Sequence, residues 1–137
     1  KIVERAADFG IPPSDIVVDP LVMPIGAMAT AGKQVFELVK RLRDELSVNT
    51  TCGASNISFG LPNRHSINAA FLPMAMTAGM TSAIMNPTKS EEMNAIRAGN
   101  LLLNNDAHGT QWIENNRPAG SETQDKQNGR RRSRRKR

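Results

Sequence analysis

The sequence predicts an α/β fold built from parallel β/α units. Two observations carry that prediction. Residues 52–87 read as a short apolar strand, a polar loop with Gly60, Pro62, Asn63 and Arg64, a long apolar helix and a second strand. The same strand-then-helix alternation occurs three times along the chain, at the pace of a parallel sheet with helical crossovers.

The chain opens in what reads as the end of a helix. Ile2, Val3, Ala6 and Phe9 form an apolar stripe, and Gly10, Pro12 and Pro13 stop it. The first unit has a strand at 16–18, a loop through Pro20, Pro24 and Gly26, and a helix over 30–46. Val35, Leu38, Val39, Leu42 and Leu46 share one face of that helix, and Lys33, Lys40, Arg41, Arg43, Asp44 and Glu45 take the other. The second unit has a strand at 50–54 and a helix over 66–79. Ile67, Ala70, Phe71, Met74, Ala75 and Ala78 give its period, while Ala69, Leu72 and Met76 fill the opposite side, so burial nearly all round is expected. Pro73 inside it removes a backbone donor and favours a kink near Ala69. The third unit has a strand at 81–85 and a helix through Met93, Ile96 and Leu101 to Leu103. Thr88 to Glu91 at its start have the spacing of a capping box.

Composition separates a body from a tail. The chain holds 18 Lys and Arg against 13 Asp and Glu, but seven of the basic residues fall in the run that begins at Arg130 and ends at Arg137. The remainder is slightly acidic. From about residue 115 the chain turns to Asn, Gly, Ser, Gln and Glu without apolar periodicity, and cannot bury enough surface to offset the entropy of ordering. Residues 115–137 are expected to form a disordered basic tail after a domain at 1–114. Its end is a candidate for weak polyanion binding, to RNA, DNA or an acidic partner, although no aromatic residue interleaves the arginines to stack on bases. A solvated tail without a dedicated partner is the plainer reading.

One cysteine, Cys52, excludes an internal disulfide and a multi-cysteine metal site. It reads as a buried strand residue. The seven methionines are expected to fill the core. His65 and His108 have no partner cluster in the sequence and read as capping or surface residues, so no metal is expected. No apolar run reaches transmembrane length, and a cytoplasmic protein without membrane contact is expected.

Parallel β/α units present ligand groups at the C-terminal ends of their strands. Asp19, Asn56 and Asn86 each fall there and form a rim around one mouth. From the residues alone, Asp19 and Asn56 are equally readable as satisfying loop amides, and Asn86 before Pro87 as turn chemistry.

Four segments in order go further. They are Asp19-Pro20-Leu21, Gly53-Ala54-Ser55-Asn56-Ile57-Ser58, Asn63-Arg64, and Ile67-Asn68-Ala69-Ala70-Phe71-Leu72-Pro73-Met74-Ala75-Met76. In order and spacing the chain resembles the pterin-binding methyltransferases, and among them the methyltetrahydrofolate:corrinoid (cobalamin) methyltransferases, from about residue 1 to about 111. The resemblance implies a TIM (β/α)8 barrel. Such a barrel takes about 250 residues, so this chain is expected to hold the C-terminal three β/α units of one. Alone, those units would be at best marginally stable and not catalytically competent.

The resemblance also implies roles. Methyl transfer would run between N5 of methyltetrahydrofolate and the cobalt of a corrinoid carried by a partner protein, in a homodimer. Asn56 matches the catalytic asparagine that hydrogen-bonds N5. Asp19 would accept two N–H groups of the pterin edge. Gly53 and Ser55 would let backbone approach the ring, Ile84 would give an apolar wall, and Asn86 would complete the pocket. Arg64 would contact the carboxylated side of the folate or hold the loop. Phe59 departs from the pattern, standing where a glutamine is expected. A dihydropteroate synthase would share barrel and pocket but should carry Ser-x-Arg near the last strand, and residues 82–90 have none.

Overall fold

The computed structural model describes residues 1–118, so the basic run at 130–137 and most of the expected tail lie outside the described residues. The elements are α1 (Ile2–Asp8), β1 (Val17–Val18), α2 (Ala31–Arg41), β2 (Asn49–Thr50), α3 (Arg64–Ala78), α4 (Ser90–Leu102) and α5 (Thr110–Asn116). Strand and helix alternate as expected. β1 and β2 pair in parallel, with Val17 opposite Asn49 and Val18 opposite Thr50. The third expected strand runs beside β2, also in parallel, through the bridge between Gly53 and Ile84. The N–H groups of Ser82 and Ile84 donate to the Thr50 and Cys52 carbonyls at 3.0 and 2.7 Å, and the Ala54 N–H donates to Ile84 O at 3.1 Å.

The strands are shorter than expected, and the third is reduced to that bridge. Thr81 supplies a reason. Its hydroxyl accepts from the Thr50 N–H and donates to the Thr50 carbonyl, both at 2.9 Å. A side chain thus occupies the Thr50 N–H, which a regular ladder would pair with backbone, and shares the Thr50 carbonyl with the Ser82 N–H.

The core lies between this sheet and helices α2 and α3. Val35, Val39, Cys52, Ile57, Phe71, Leu72 and Ala75 are all buried, and the Phe36 and Phe71 rings stack at 5.6 Å. In α2 the buried stripe is Ala31, Val35 and Val39, whereas Leu38 and Leu46 are exposed. Beyond Arg41 the chain widens into a π turn over Leu42–Leu46, which rotates Leu46 off the stripe, whereas Leu38 lies at the margin of the buried face before that turn.

Helix α3 is not buried all round. Asn68, Phe71, Leu72 and Ala75 are covered, while Ala70, Met74 and Thr77 form an exposed line. α4 packs along α3 at Gly99, where an added Cβ would meet the Met76 and Pro73 side chains at 3.3 and 3.4 Å. Pro73 therefore sits at a close helix crossing. Of the seven methionines only Met80 is buried, and Met23, Met28 and Met74 are exposed. Nor does α1 bury its stripe, since Ile2 and Phe9 are exposed.

The expected capping box at α4 does not form. Thr88 gives its N–H and hydroxyl to Asn86 Oδ1, and Glu91 accepts from the Ser66 hydroxyl. On α4 the buried residues are Glu92 and Gly99 rather than Met93 or Leu101. Helix α5, absent from the expected elements, runs to Asn116 and crosses the expected boundary at 115.

A buried carboxylate starts α5. Asp106 accepts the N–H groups of Gln111 and Trp112 at 3.0 and 2.8 Å, which satisfies donors that the first helical turn leaves free. Asp106→Ala should cost about 1–2 kcal/mol in urea unfolding. A loss below about 0.5 kcal/mol would show that water serves those amides equally well.

Candidate functional site

The segment after β2 is built to hold two side chains at a strand end. Ala54, Ile57 and Ser58 of the turn Ala54–Ser58 are buried, which leaves Ser55 and Asn56 facing outward. Asn63, at φ 49°, turns the chain into α3. The first residue of that helix, Arg64, reaches back over the loop. Its Nε–H donates to Ser58 Oγ at 3.1 Å, its Nη2 donates to the Ser55 carbonyl at 2.7 Å, and its guanidinium lies 5.6 Å from the centre of the Phe59 ring. Arg64 thus ties the turn Ala54–Ser58 to the start of α3. Phe59 serves here as the surface on which that guanidinium rests.

Gly53 makes room for Asn56. A Cβ on Gly53 would lie 3.1 Å from Asn56 Nδ2, so any other residue there would make the carboxamide give by a few tenths of an ångström. Asp19, at the end of β1, is exposed, and its Oδ1 accepts the Leu21 N–H at 2.8 Å. That bond supports a residue held at φ 57°. Burial, with a contribution from the Asp19 charge, pushes the Cys52 thiol up to about 11. Cys52 is fully buried and stays a neutral thiol near neutral pH. Asn86 performs the turn chemistry described above.

Behind the loop runs a chain of polar side chains that sequence reasoning missed. Ser58 Oγ donates to Asn68 Oδ1 at 2.8 Å, Asn68 Nδ2 donates to Glu92 Oε1 at 3.0 Å, and His65 Nδ1 lies 2.8 Å from the same oxygen. Glu92 is only 3% exposed. The same oxygen accepts from Asn68 Nδ2, so His65 Nδ1 faces an acceptor and is the donor of the pair. His65 thus has a specific partner, while its side chain is half exposed, as expected of a surface histidine. One signal was available in the sequence. Asn68 is the polar residue inside an otherwise apolar run, and a buried amide requires partners.

A cavity of about 480 Å³ opens at these residues, lined among others by Ser55, Arg64, His65, Ile84, Asn86 and Glu92. It brings together four of the expected site residues, Ser55, Arg64, Ile84 and Asn86. Asp19, Gly53 and Asn56 are not among its lining residues, although they stand at the ends of the adjoining paired segments. Among the described residues no three His, Cys, Asp or Glu side chains converge as metal ligands.

The pterin binding enzyme profile matches residues 1–86. The chain belongs to the pterin-binding enzyme family. That family is of the TIM-barrel type, which accounts for the parallel alternation and for polar residues gathered at strand ends. The chain is 37% identical over 106 residues to methylcorrinoid:tetrahydrofolate methyltransferase of Eubacterium limosum, covering 77% of this chain and 39% of that protein. It is 34% identical over 96 residues to methionine synthase of Mycobacterium tuberculosis, covering 65% of this chain and 8% of that one. The methionine synthase of Mycobacterium leprae matches at 34% over 97 residues, 66% of this chain and 8% of its own length. The chain therefore spans well under half the length of these relatives. Among the described residues no helix is long and apolar enough to cross a membrane.

Proposed function

We propose that this pterin-binding chain contributes to methyl transfer between N5 of methyltetrahydrofolate and the cobalt of a corrinoid carried by a partner protein. The observation that carries the reading is the Gly53–Asn56 arrangement. An exposed carboxamide stands at a strand end, over a glycine that leaves it room, on a loop anchored by Arg64. The similarity to a methylcorrinoid:tetrahydrofolate methyltransferase supports it.

An amine is a poor leaving group until N5 gains positive charge. A carboxamide does not titrate near neutral pH, so Asn56 acts by orienting N5 and stabilising its protonated form while a water or solvent-connected network supplies the proton. Asp19 has one oxygen committed to Leu21 N–H, and its carboxylate accepts N–H groups from the aminopyrimidine edge in charge-assisted bonds. Ser55 and Ile84 give the ring a polar and an apolar contact, and Asn86 sets the turn beside them. The corrinoid supplies the cobalt that exchanges the methyl group. The three parallel segments make up the C-terminal β/α units of the barrel, and the rest of the pocket comes from strands outside this chain.

Titration of methyltetrahydrofolate into the full-length protein tests this. Asp19→Asn should weaken binding about 10- to 100-fold, the worth of a charge-assisted hydrogen bond. No binding by the unaltered protein would sink the reading, and unaltered affinity in Asp19→Asn would remove Asp19 from the pocket.

A further inference from the structure

The polar chain behind the loop has a direction, and Glu92 sets it. Glu92 Oε1 accepts from Asn68, which presents Nδ2 to it at 3.0 Å. That turns Asn68 Oδ1 toward Ser58, whose hydroxyl lies 2.8 Å from it and 3.2 Å from the Ser55 carbonyl, the shorter contact taking the proton. The Ser58 lone pairs are left to accept the Arg64 Nε–H, and the guanidinium fork is aimed with Nη2 on the Ser55 carbonyl at 2.7 Å. That carbonyl belongs to the same planar peptide as the Asn56 N–H. Flipping Asn68 would set acceptor against acceptor at Glu92, and at Ser58 it would send the hydroxyl proton to the Ser55 carbonyl, 3.2 Å away. His65 reinforces the order by donating to the same Glu92 oxygen.

We propose that Glu92 is a positioning residue that orients the Ser55–Asn56 peptide through Asn68, Ser58 and Arg64. The consequence for methyl transfer rests on the function proposed above, whereas the consequence for the loop does not. Both bonds from Asn68 and His65 fall on Glu92 Oε1, and Oε2 has no hydrogen-bond partner among the described residues. Glu92→Gln can therefore keep both acceptor contacts, whereas Glu92→Leu keeps the volume and loses them.

The test compares these variants in the full-length protein, with two readouts. In nitrogen-15 NMR the Arg64 Nε–H should be protected from exchange in the unaltered protein and in Glu92→Gln, and should lose protection in Glu92→Leu. In single-turnover transfer at saturating methyltetrahydrofolate, Glu92→Leu should be slower by about tenfold, the scale of one misplaced hydrogen bond, with Glu92→Gln within about twofold. The dissociation constant should move by less than about threefold, which separates loss of orientation from loss of binding. Ser58→Ala cuts the chain at its middle and should give the same NMR result if Glu92→Leu fails to fold. Persistent Arg64 protection in Glu92→Leu or Ser58→Ala would overturn the proposal, as would Glu92→Gln transferring as slowly as Glu92→Leu. If the unaltered protein does not bind methyltetrahydrofolate, the functional reading alone fails, and the Arg64 signal decides the matter of the loop.

Discussion

Replacing Asn56 with alanine should lower methyl transfer by about 10²- to 10³-fold, the range seen when one preorganised donor or acceptor is removed from a developing charge. Affinity for methyltetrahydrofolate should change far less, because the interaction strengthens only as N5 becomes cationic. The structural grounds are local. Asn56 is exposed at the strand end, its carboxamide lies over Gly53, and the peptide before it is gripped by Arg64 at 2.7 Å. Gly53→Ala makes a sharper companion, since its new Cβ would stand 3.1 Å from Asn56 Nδ2 and push the amide aside without removing it. A smaller loss is expected there, again in transfer rather than in binding. Equal damage to rate and affinity in Asn56→Ala would make Asn56 a ground-state contact. An unchanged rate would take it away from the reacting nitrogen altogether.

The largest effect on stability is expected from Phe71→Ala. Phe71 is 3% exposed, sits on the face of α3 that meets α2, and stacks on Phe36 at 5.6 Å with 25° between ring planes. Deleting a buried phenylalanine ring costs about 3–5 kcal/mol, through lost transfer energy and the cavity left behind. Total stability of a domain is about 5–15 kcal/mol. The variant should therefore unfold at much lower urea or be unfolded at 37 °C, as circular dichroism would report. Phe71→Leu keeps most of the volume and should cost under about 1.5 kcal/mol. A loss below about 1 kcal/mol for the alanine variant would mean that α2 and α3 close over the gap.

The alternation of strand and helix was legible because each unit carries its own periodicity and its own stops. Val35 and Val39 on α2, and Phe71 and Ala75 on α3, are buried as their spacing implied. Burial further along was less legible. Leu46 was assigned to the core by a 3.6-residue period that the π turn interrupts, and a period gives no warning of its own interruption. The capping box over Thr88 to Glu91 had the right spacing, yet Asn86 captured Thr88 and Ser66 captured Glu91. Competing partners decide such motifs, and one of them lies 25 positions away in sequence.

By itself the sequence determined the parallel β/α grammar, the family, and the strand-end positions of Asp19, Asn56 and Asn86, because these depend on local order along the chain. Tertiary structure alone decided that Arg64 holds the loop, that Gly53 makes room for Asn56, and that His65, Asn68 and Glu92 join behind it. Glu92 lies 24 positions from Asn68 and 27 from His65. Hydrogen bonds act over about 3 Å and require a fixed donor and acceptor geometry. That geometry exists only after α4 has packed on α3.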